Sequence, residues 1–301
     1  MNSTVRSRSR SRSRPSKQRP SKQSTTIRRA RTTFLEKIEK YKVSEIKNKR
    51  DDVTCSVYHF QCNRAEDNEY VSRITKIATK QRHYFYEIYP WKTRCKENWH
   101  MFIAMKEDTD PRTRGGITIC AWCSVRYEEL ETRTGERIKA AYIVEVSVRR
   151  KREEGAVDEN YKGMGIMLLN RIIEHSRAKG ITMVYLVPSN EVVKGLYKSS
   201  PSLQMSEVEN TSYLVKSISN ELSIPQMREI ITMKREKERE QEEQIYKEGI
   251  EELPIRIREK FIKMVDTKKM ELDDKIALLG EIQIMLEENT DEDEIVDYIE
   301  A

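Results

Sequence analysis

The sequence predicts an α/β (α+β) fold built on a mixed, mostly antiparallel sheet, with a basic arm before it and a helical extension after it. Three observations point there. Three strand-like runs follow one another through short connections, the pattern of an antiparallel meander. The third run leads through a polar loop and a Gly-x-Gly turn into an apolar-striped helix and a further strand, which together make a βαβ unit. From residue 218 onward the pattern is helical and highly charged.

Composition sets the bounds. Of 301 residues 37% are hydrophobic, a low share for a chain folded from end to end. Residues 1–33 carry 11 Lys and Arg and no acid, residues 34–217 carry 32 basic and 26 acidic side chains, and residues 218–301 carry 13 basic against 24 acidic ones. The formal net charge of +6 therefore hides a strongly basic head and an acidic tail. No apolar run reaches the roughly 18 to 20 residues that cross a bilayer, and no hydrophobic signal core follows the first charges. The expectation is a protein without membrane contact that is intracellular, nuclear or nucleic-acid-associated, or carried in a virus particle. Cys55, Cys62, Cys95, Cys120 and Cys123 form an odd set without framework spacing, as expected of reduced thiols. Cys120-Ala121-Trp122-Cys123 has the spacing of a redox or zinc knuckle. In a strand pattern, however, positions three apart point to opposite faces, and no second pair lies nearby, so no metal is expected.

The elements follow in order. Arg and Ser alternate over residues 6–14, and Pro15-Ser16-Lys17-Gln18 is nearly repeated by Pro20-Ser21-Lys22-Gln23. Nothing there can bury a core, so residues 1–33 are expected to form a disordered arm. Residues 5–31 offer nucleic acid an electrostatic contact, because arginines displace counterions from phosphates without reading sequence. A solvated or localisation tail fits this composition equally, and phosphorylation of the serines would reverse much of the charge. Residues 34–51 read as a linker or a charged helix. Beyond them Val71, Ile74, Ile77, Tyr84, Phe85 and Ile88 recur at mixed helical spacing.

The strands come next: 101–105, a turn from Asp110-Pro111 to Gly115-Gly116, then 117–128, a turn at Thr134-Gly135, and 138–148. Ala141-Tyr142-Ile143-Val144-Glu145-Val146-Ser147-Val148 is apolar on both faces apart from Glu145 and Ser147, which marks a central strand. A polar loop over 149–159 joins it to the glycine turn. The helix beyond carries Met164, Met167, Leu168 and Ile172 on one stripe, widened by Leu169 and Ile173, and stops at Lys179-Gly180. Residues 181–187 read as a buried strand, 191–198 as a short helix, and 213–218 as the last strand of a domain spanning 52–217. Residues 218–252 read as an exposed charged helix of coiled-coil-like composition. Residues 253–301 read as an acidic helical hairpin whose stripe (Ile257, Phe261, Val265, Ile276, Leu279, Ile282) suits a protein partner or a second copy.

The chemistry centres on Asn160-Tyr161-Lys162-Gly163-Met164-Gly165-Ile166. Two glycines one residue apart at the mouth of a helix let the backbone approach an anion, with free amides and the positive end of the helix dipole facing it. The ligand class is therefore a phosphate or pyrophosphate. A dinucleotide-binding fingerprint would need a third glycine near Leu168 and no long loop, and a P-loop would need Gly-Lys-Ser/Thr. What remains, with Val146-Ser147-Val148 on the strand before it and Leu168-Leu169 after it, resembles the Gln/Arg-x-x-Gly-x-Gly/Ala pyrophosphate loop of the GNAT superfamily of N-acetyltransferases. Asn190-Glu191-Val192-Val193-Lys194-Gly195-Leu196-Tyr197 resembles that family's Asn-x-x-Ala-x-x-Leu-Tyr segment. The resemblance covers about residues 52–217, and its specific motifs lie within 141–198.

The resemblance implies a GNAT-like sheet whose central parallel strands, about 141–148 and 181–187, splay to admit the pantetheine arm of acetyl-CoA. Backbone groups of Val146 and Val148, around Ser147, are then expected to bond the pantetheine amides, and amides from Tyr161 to Ile166 to hold the pyrophosphate. Asn160 replaces the family's longer Gln/Arg donor, and the 149–159 loop is several residues longer than the common form. Asn190 belongs to the second cofactor-side motif. Tyr197 matches the tyrosine that acts as general acid toward the departing thiolate. For the base, Glu145 is the attractive carboxylate, but strand alternation sets it opposite Tyr142, Val144 and Val146, and Tyr142 stands where some members carry a basic carboxylate. His59, His83, His100 and His175 read as structural. The expected activity is transfer of acetyl from acetyl-CoA to a lysine or other primary amine of a protein or small acceptor, near nucleic acid or nucleoprotein. The alternative is a catalytically inactive GNAT-fold structural or nucleic-acid-associated protein, for instance of a virus particle.

Overall fold

The computed structural model describes residues 36–48, 53–80, 99–107, 117–149, 161–219 and 221–300. The expected arm, the 110–116 turn, the 150–159 loop, Asn160, Tyr84, Phe85, Ile88, His83 and Cys95 lie outside the described residues. Eight strands are present: β1 Lys42–Lys47, β2 Thr54–Gln61, β3 Trp99–Glu107, β4 Ile117–Glu131, β5 Arg137–Val148, β6 Met183–Leu186, β7 Ser206–Glu207 and β8 Leu214–Ser217. They form one sheet in the order β1-β2-β3-β4-β5-β6-β8-β7. Pairings β1–β2, β2–β3, β6–β8 and β7–β8 are antiparallel, and β5–β6 is parallel. This is the mixed, mostly antiparallel α/β sheet that the sequence pattern predicts.

The chain divides into two compact units, one of described residues up to Val125 with Glu145–Ile172, the other of Arg126–Val144 with the residues from Ile173 onward. In the first unit, β2 and β3 pair from Ser56↔Met105 to Gln61↔His100. Helix α1, Ala65–Lys80, sets Val71 and Ile74 into a core with Phe60, Ile103, Ile119 and Trp122, and Tyr70 and Ile77 pack at its edge. Burial of each such side chain stabilises the fold by about 1.5–3 kcal/mol. The start of α1 is tied down by Asp67, whose carboxylate accepts the Gln61 backbone N–H at 2.7 Å.

The structure departs from the sequence reading at three places in this unit. In 34–51, which reads as a linker or charged helix, residues 36–38 are helical and a 3-10 turn, Glu39–Tyr41, then runs into edge strand β1. Val43, Glu45 and Lys47 alternate outward along an edge while Ile46 is buried, and pairing with β2 overrides helix propensity. Strand β2 is hidden in the sequence because Val57, Tyr58, His59 and Phe60 are buried on both faces and show no alternation. Cys55, Cys120 and Cys123 are buried free thiols, but Cys62 is disulfide-bonded, a departure from reduced thiols throughout.

In the second unit, a turn with Gly135 at φ 81° joins the outer parts of β4 and β5, and the Thr132 N–H donates to Glu136 across it at 2.9 Å. Helix α4, Ile224–Glu252, is started by a capping box between Ser223 and Gln226 and buries Met227, Ile230 and Ile231 against Ile138, Ala140, Met183, Tyr185 and Val215. Three further helices follow, α5 Ile255–Lys268, α6 Leu272–Glu287 and α7 Glu292–Glu300, so the expected hairpin has a third member. Ile295, Val296 and Ile299 of α7 close a core with Ile257, Phe261, Val265, Leu279 and Ile282. Glu292, Asp293 and Glu294, which make this stretch look like an acidic tail, sit in the first turn of α7, where the helix dipole favours acids. Within the expected lone helix 218–252, Gly249 approaches Leu279 so closely that a Cβ would lie 2.8 Å from its Cδ2.

Candidate phosphate-binding site

The glycine turn lies wholly in the first unit. Gly163 has φ 85°, a backbone that L side chains rarely adopt, and turns the chain into helix α2, Met164–Ala178. The first helical bond runs from the Met167 N–H to the Gly163 carbonyl at 3.2 Å. The amides of Met164, Gly165 and Ile166 therefore precede the intrahelical ladder, and no acid occupies the first turn. Met164, Leu168, Leu169 and Ile172 are buried and hold the helix in place.

Gly165 is what lets the turn lie on the strand. A Cβ there would sit 2.9 Å from Val148 Cγ2 and 3.5 Å from Val146 Cγ1. Both valines belong to β5, whose pairing with β6 ends at Ile143↔Leu186 while β5 itself continues to Val148. The end of β5 is fixed from the other side by the Arg149 N–H, which donates to the Cys120 carbonyl at 3.0 Å. Ser147 is buried, on the opposite side of the strand from Val146 and Val148.

Two cations that the sequence reading did not assign to the site converge on the buried ring of Tyr161. Arg149 Cζ lies 5.2 Å and Lys106 Nζ 5.6 Å from its centroid. Burial raises the Tyr161 pKa while Arg149 and Lys106 pull it back, as two positive charges beside the ring must. Lys162, in the turn itself, is exposed. Glycine backbone, helix N-terminus and cations thus gather at one place, which is an anion-binding chemistry of phosphate type. Among the described residues no group of three or more His, Cys, Asp and Glu is placed to hold a metal ion.

The structure therefore brings Val146, Val148, Tyr161, Lys162, Gly163, Met164, Gly165 and Ile166 together, with Ser147 behind them. Asn160 lies outside the described residues. Glu145, half-buried in the same unit, has the strand parity of Ser147 and points away from the turn. Its charge adds to burial in raising the Cys123 pKa.

Tyr142, Asn190 and Tyr197 belong to the second unit. Asn190 caps helix α3, Glu191–Ser199, with Oδ1 accepting the Val193 N–H at 2.9 Å. Tyr197 is half-buried on α3, a helix without a fully buried residue. Lys194 and Lys198 of α3 both pair with Glu207, and first Lys194, then Lys198, holds that carboxyl down at about 2. Tyr142 stacks on Tyr185 at 4.9 Å and has Arg126 Cζ 5.2 Å from its ring.

No protein-family model matches the chain, and no curated protein does. Solved structures are similar in part. The KacTA–DNA complex shares 14% identity over 53% of this chain and 83% of that one, with a TM-score of 0.33. AtaTR bound with AcCoA shares 14% over 53% and 84%, with a TM-score of 0.29. AtaT complexed with acetyl-methionyl-tRNAfMet shares 13% over 54% and 94%, with a TM-score of 0.30.

Proposed function

We propose that the chain binds acetyl-CoA at the Tyr161–Ile166 turn and transfers its acetyl group to a primary amine. The observation that carries this reading is the seating of Gly165 on Val146 and Val148. It sets a free helix N-terminus directly against a strand end, the arrangement that the resemblance to GNAT N-acetyltransferases implies for a pyrophosphate beside pantetheine. In this reading the amides of Met164, Gly165 and Ile166 bond pyrophosphate oxygens. Arg149 and Lys106 supply the positive charge that the short Asn160 does not. Val146 and Val148, beyond the last β5–β6 pair, offer backbone groups to the pantetheine amides.

Bound acetyl-CoA supplies an activated thioester. The chain must then receive the proton-bearing amine, stabilise the tetrahedral oxyanion and protonate the leaving thiolate. A strand amide near Val146 is suited to the oxyanion, and Tyr197 is the family-matched acid. Glu145 faces away from the turn and is assigned a structural role, so the amine loses its proton to water or through a water chain. Nucleic acid contact through residues 5–31 rests on charge alone.

Acetyl transfer to a lysine-containing acceptor, read alongside the melting temperature, tests the proposal. Acetyl-CoA should raise the midpoint progressively, equivalent to about 2.7 kcal/mol at a hundred times Kd. Tyr197→Phe should keep that shift while slowing turnover by about 10²- to 10⁴-fold. No shift at millimolar acetyl-CoA removes the reading. A shift without any transfer supports the second reading, a cofactor-binding fold that no longer catalyses.

A further inference from the structure

Helix α3 is inverted relative to an ordinary surface helix, which sets its apolar stripe on the protein and its charges in water. The arc of α3 that faces its own unit is Val193, Lys194 and Tyr197, all half-buried, and Lys194 and Lys198 reach Glu207 of β7 at 2.5 and 2.8 Å. The opposite arc is Val192, Gly195, Leu196 and Ser199, at the i, i+3, i+4 and i+7 spacing of one helix face, and all four are exposed. Val192 is 83% and Leu196 47% exposed, and a Cβ on Gly195 would meet nothing within 4 Å. No residue of the helix is buried.

Ion pairs therefore fasten α3 while its apolar face is left in water. Exposed ion pairs contribute little, and an apolar stripe in water forgoes the gain of burial. A single exposed apolar side chain is ordinary; Val192 and Leu196 stand one turn apart on one face with a glycine between them and form a continuous strip. Such a strip suits a second helix, because a glycine at the crossing lets two backbones approach closely.

The charges beside the strip select the occupant. Glu191 and Lys198 are two turns apart and project from the same flank, with side chains 87% and 44% exposed. When a second α3 lies antiparallel across the first, a two-fold axis near Gly195 brings Glu191 of each copy to Lys198 of the other, and Val192 of each beside Leu196 and Ser199 of the other. A two-fold interface has to be self-complementary in this way. Parallel pairing would set Glu191 against Glu191 and Lys198 against Lys198. Lys194 reaches Glu191 at 3.4 Å as well as Glu207, so both carboxylates keep a local partner in the free chain.

We propose that the exposed face of α3 is the docking surface for a second copy of this chain, packed antiparallel, helix on helix, about a two-fold axis. The surface is small, which makes the dimer weak and concentration-dependent, in the class of transient interfaces. The same helix carries Tyr197, so docking braces the proposed acid; that consequence alone rests on the acetyltransferase reading.

Sedimentation equilibrium of the full chain without acetyl-CoA, from about 10 μM to about 1 mM, tests the surface independently of cofactor binding. The wild type should pass from monomer toward dimer across that range. Leu196→Glu and Val192→Glu should each weaken association at least about ten-fold, with the melting temperature kept because neither side chain is buried. Glu191→Lys and Lys198→Glu should each lose association alone and regain it when mixed, since both crossed pairs are then opposite in charge; recovery on mixing separates a lost contact from a lost fold. A wild type that stays monomeric at the highest concentration overturns the proposal. So does association that Leu196→Glu and Val192→Glu leave unchanged, or a mixture of the two charge variants that does not associate.

Discussion

Single residues carry most of the functional account. Gly163 and Gly165 are legible in the sequence because each meets a demand that only glycine meets, a positive φ at one and a 2.9 Å approach to Val148 at the other. Gly165→Ala should destabilise the protein by about 1–3 kcal/mol through overpacking and weaken acetyl-CoA binding, measured by denaturant melts and cofactor titration. Lys106 and Arg149 were not legible as a pair, since Lys106 reaches Tyr161 only through the sheet and nothing in its own neighbourhood marks it. Arg149→Ala should weaken acetyl-CoA about ten-fold and flatten the salt dependence of binding, with little change in melting temperature. His175 makes a pH prediction. Burial first, and then Lys179, bring its pKa from 6.5 down to about 4, so the unfolded chain takes up the proton more readily. Its contribution to stability is intact above pH 6.5 and is lost as the pH falls toward 4, and His175→Asn should flatten the stability profile in that window.

At the scale of elements, what the sequence reveals depends on whether an element declares itself locally. Helix α2 does, through an apolar stripe between the glycine turn and Gly180, and so do α3 after its Asn190 cap and the β4–β5 turn at Gly135. Strand β1 does not, because its burial is decided by a partner strand and not by its own charged sequence. Helix α7 is disguised by acids that belong to its first turn. The end of α5 offers a direct test: Lys269 sits in the left-handed region at φ 49°, where a side chain is strained. Lys269→Gly should raise stability by about 1 kcal/mol despite glycine's greater freedom when unfolded, and chemical denaturation checks it. Ser223→Ala, which removes the capping box of α4, should lower stability by about 1 kcal/mol in the same assay.

Over the whole molecule, the sheet order β1-β2-β3-β4-β5-β6-β8-β7 and the one parallel pairing among those described, β5 with β6, follow from a meander feeding a βαβ unit, and that pattern is visible in the sequence. Long-range pairing is not visible in it. Hence the Tyr142–Tyr185–Tyr213 cluster, whose rings come from β5, β6 and the residue before β8 and pack with the buried residues of α4, emerges only when those strands are placed together. Charge segregation between a basic head and an acidic tail predicts contact with a polyanion through residues 1–33. Their deletion should weaken nucleic-acid binding and flatten its salt slope, and an unchanged slope assigns that binding elsewhere. Calorimetric titration of the full chain with acetyl-CoA tests the proposed cofactor recognition by the Gly163–Gly165 turn most directly. Saturable binding near one molecule per chain that Arg149→Ala weakens is expected; no heat of binding at millimolar acetyl-CoA, or binding that Arg149→Ala and Gly165→Ala leave untouched, would contradict recognition by this turn.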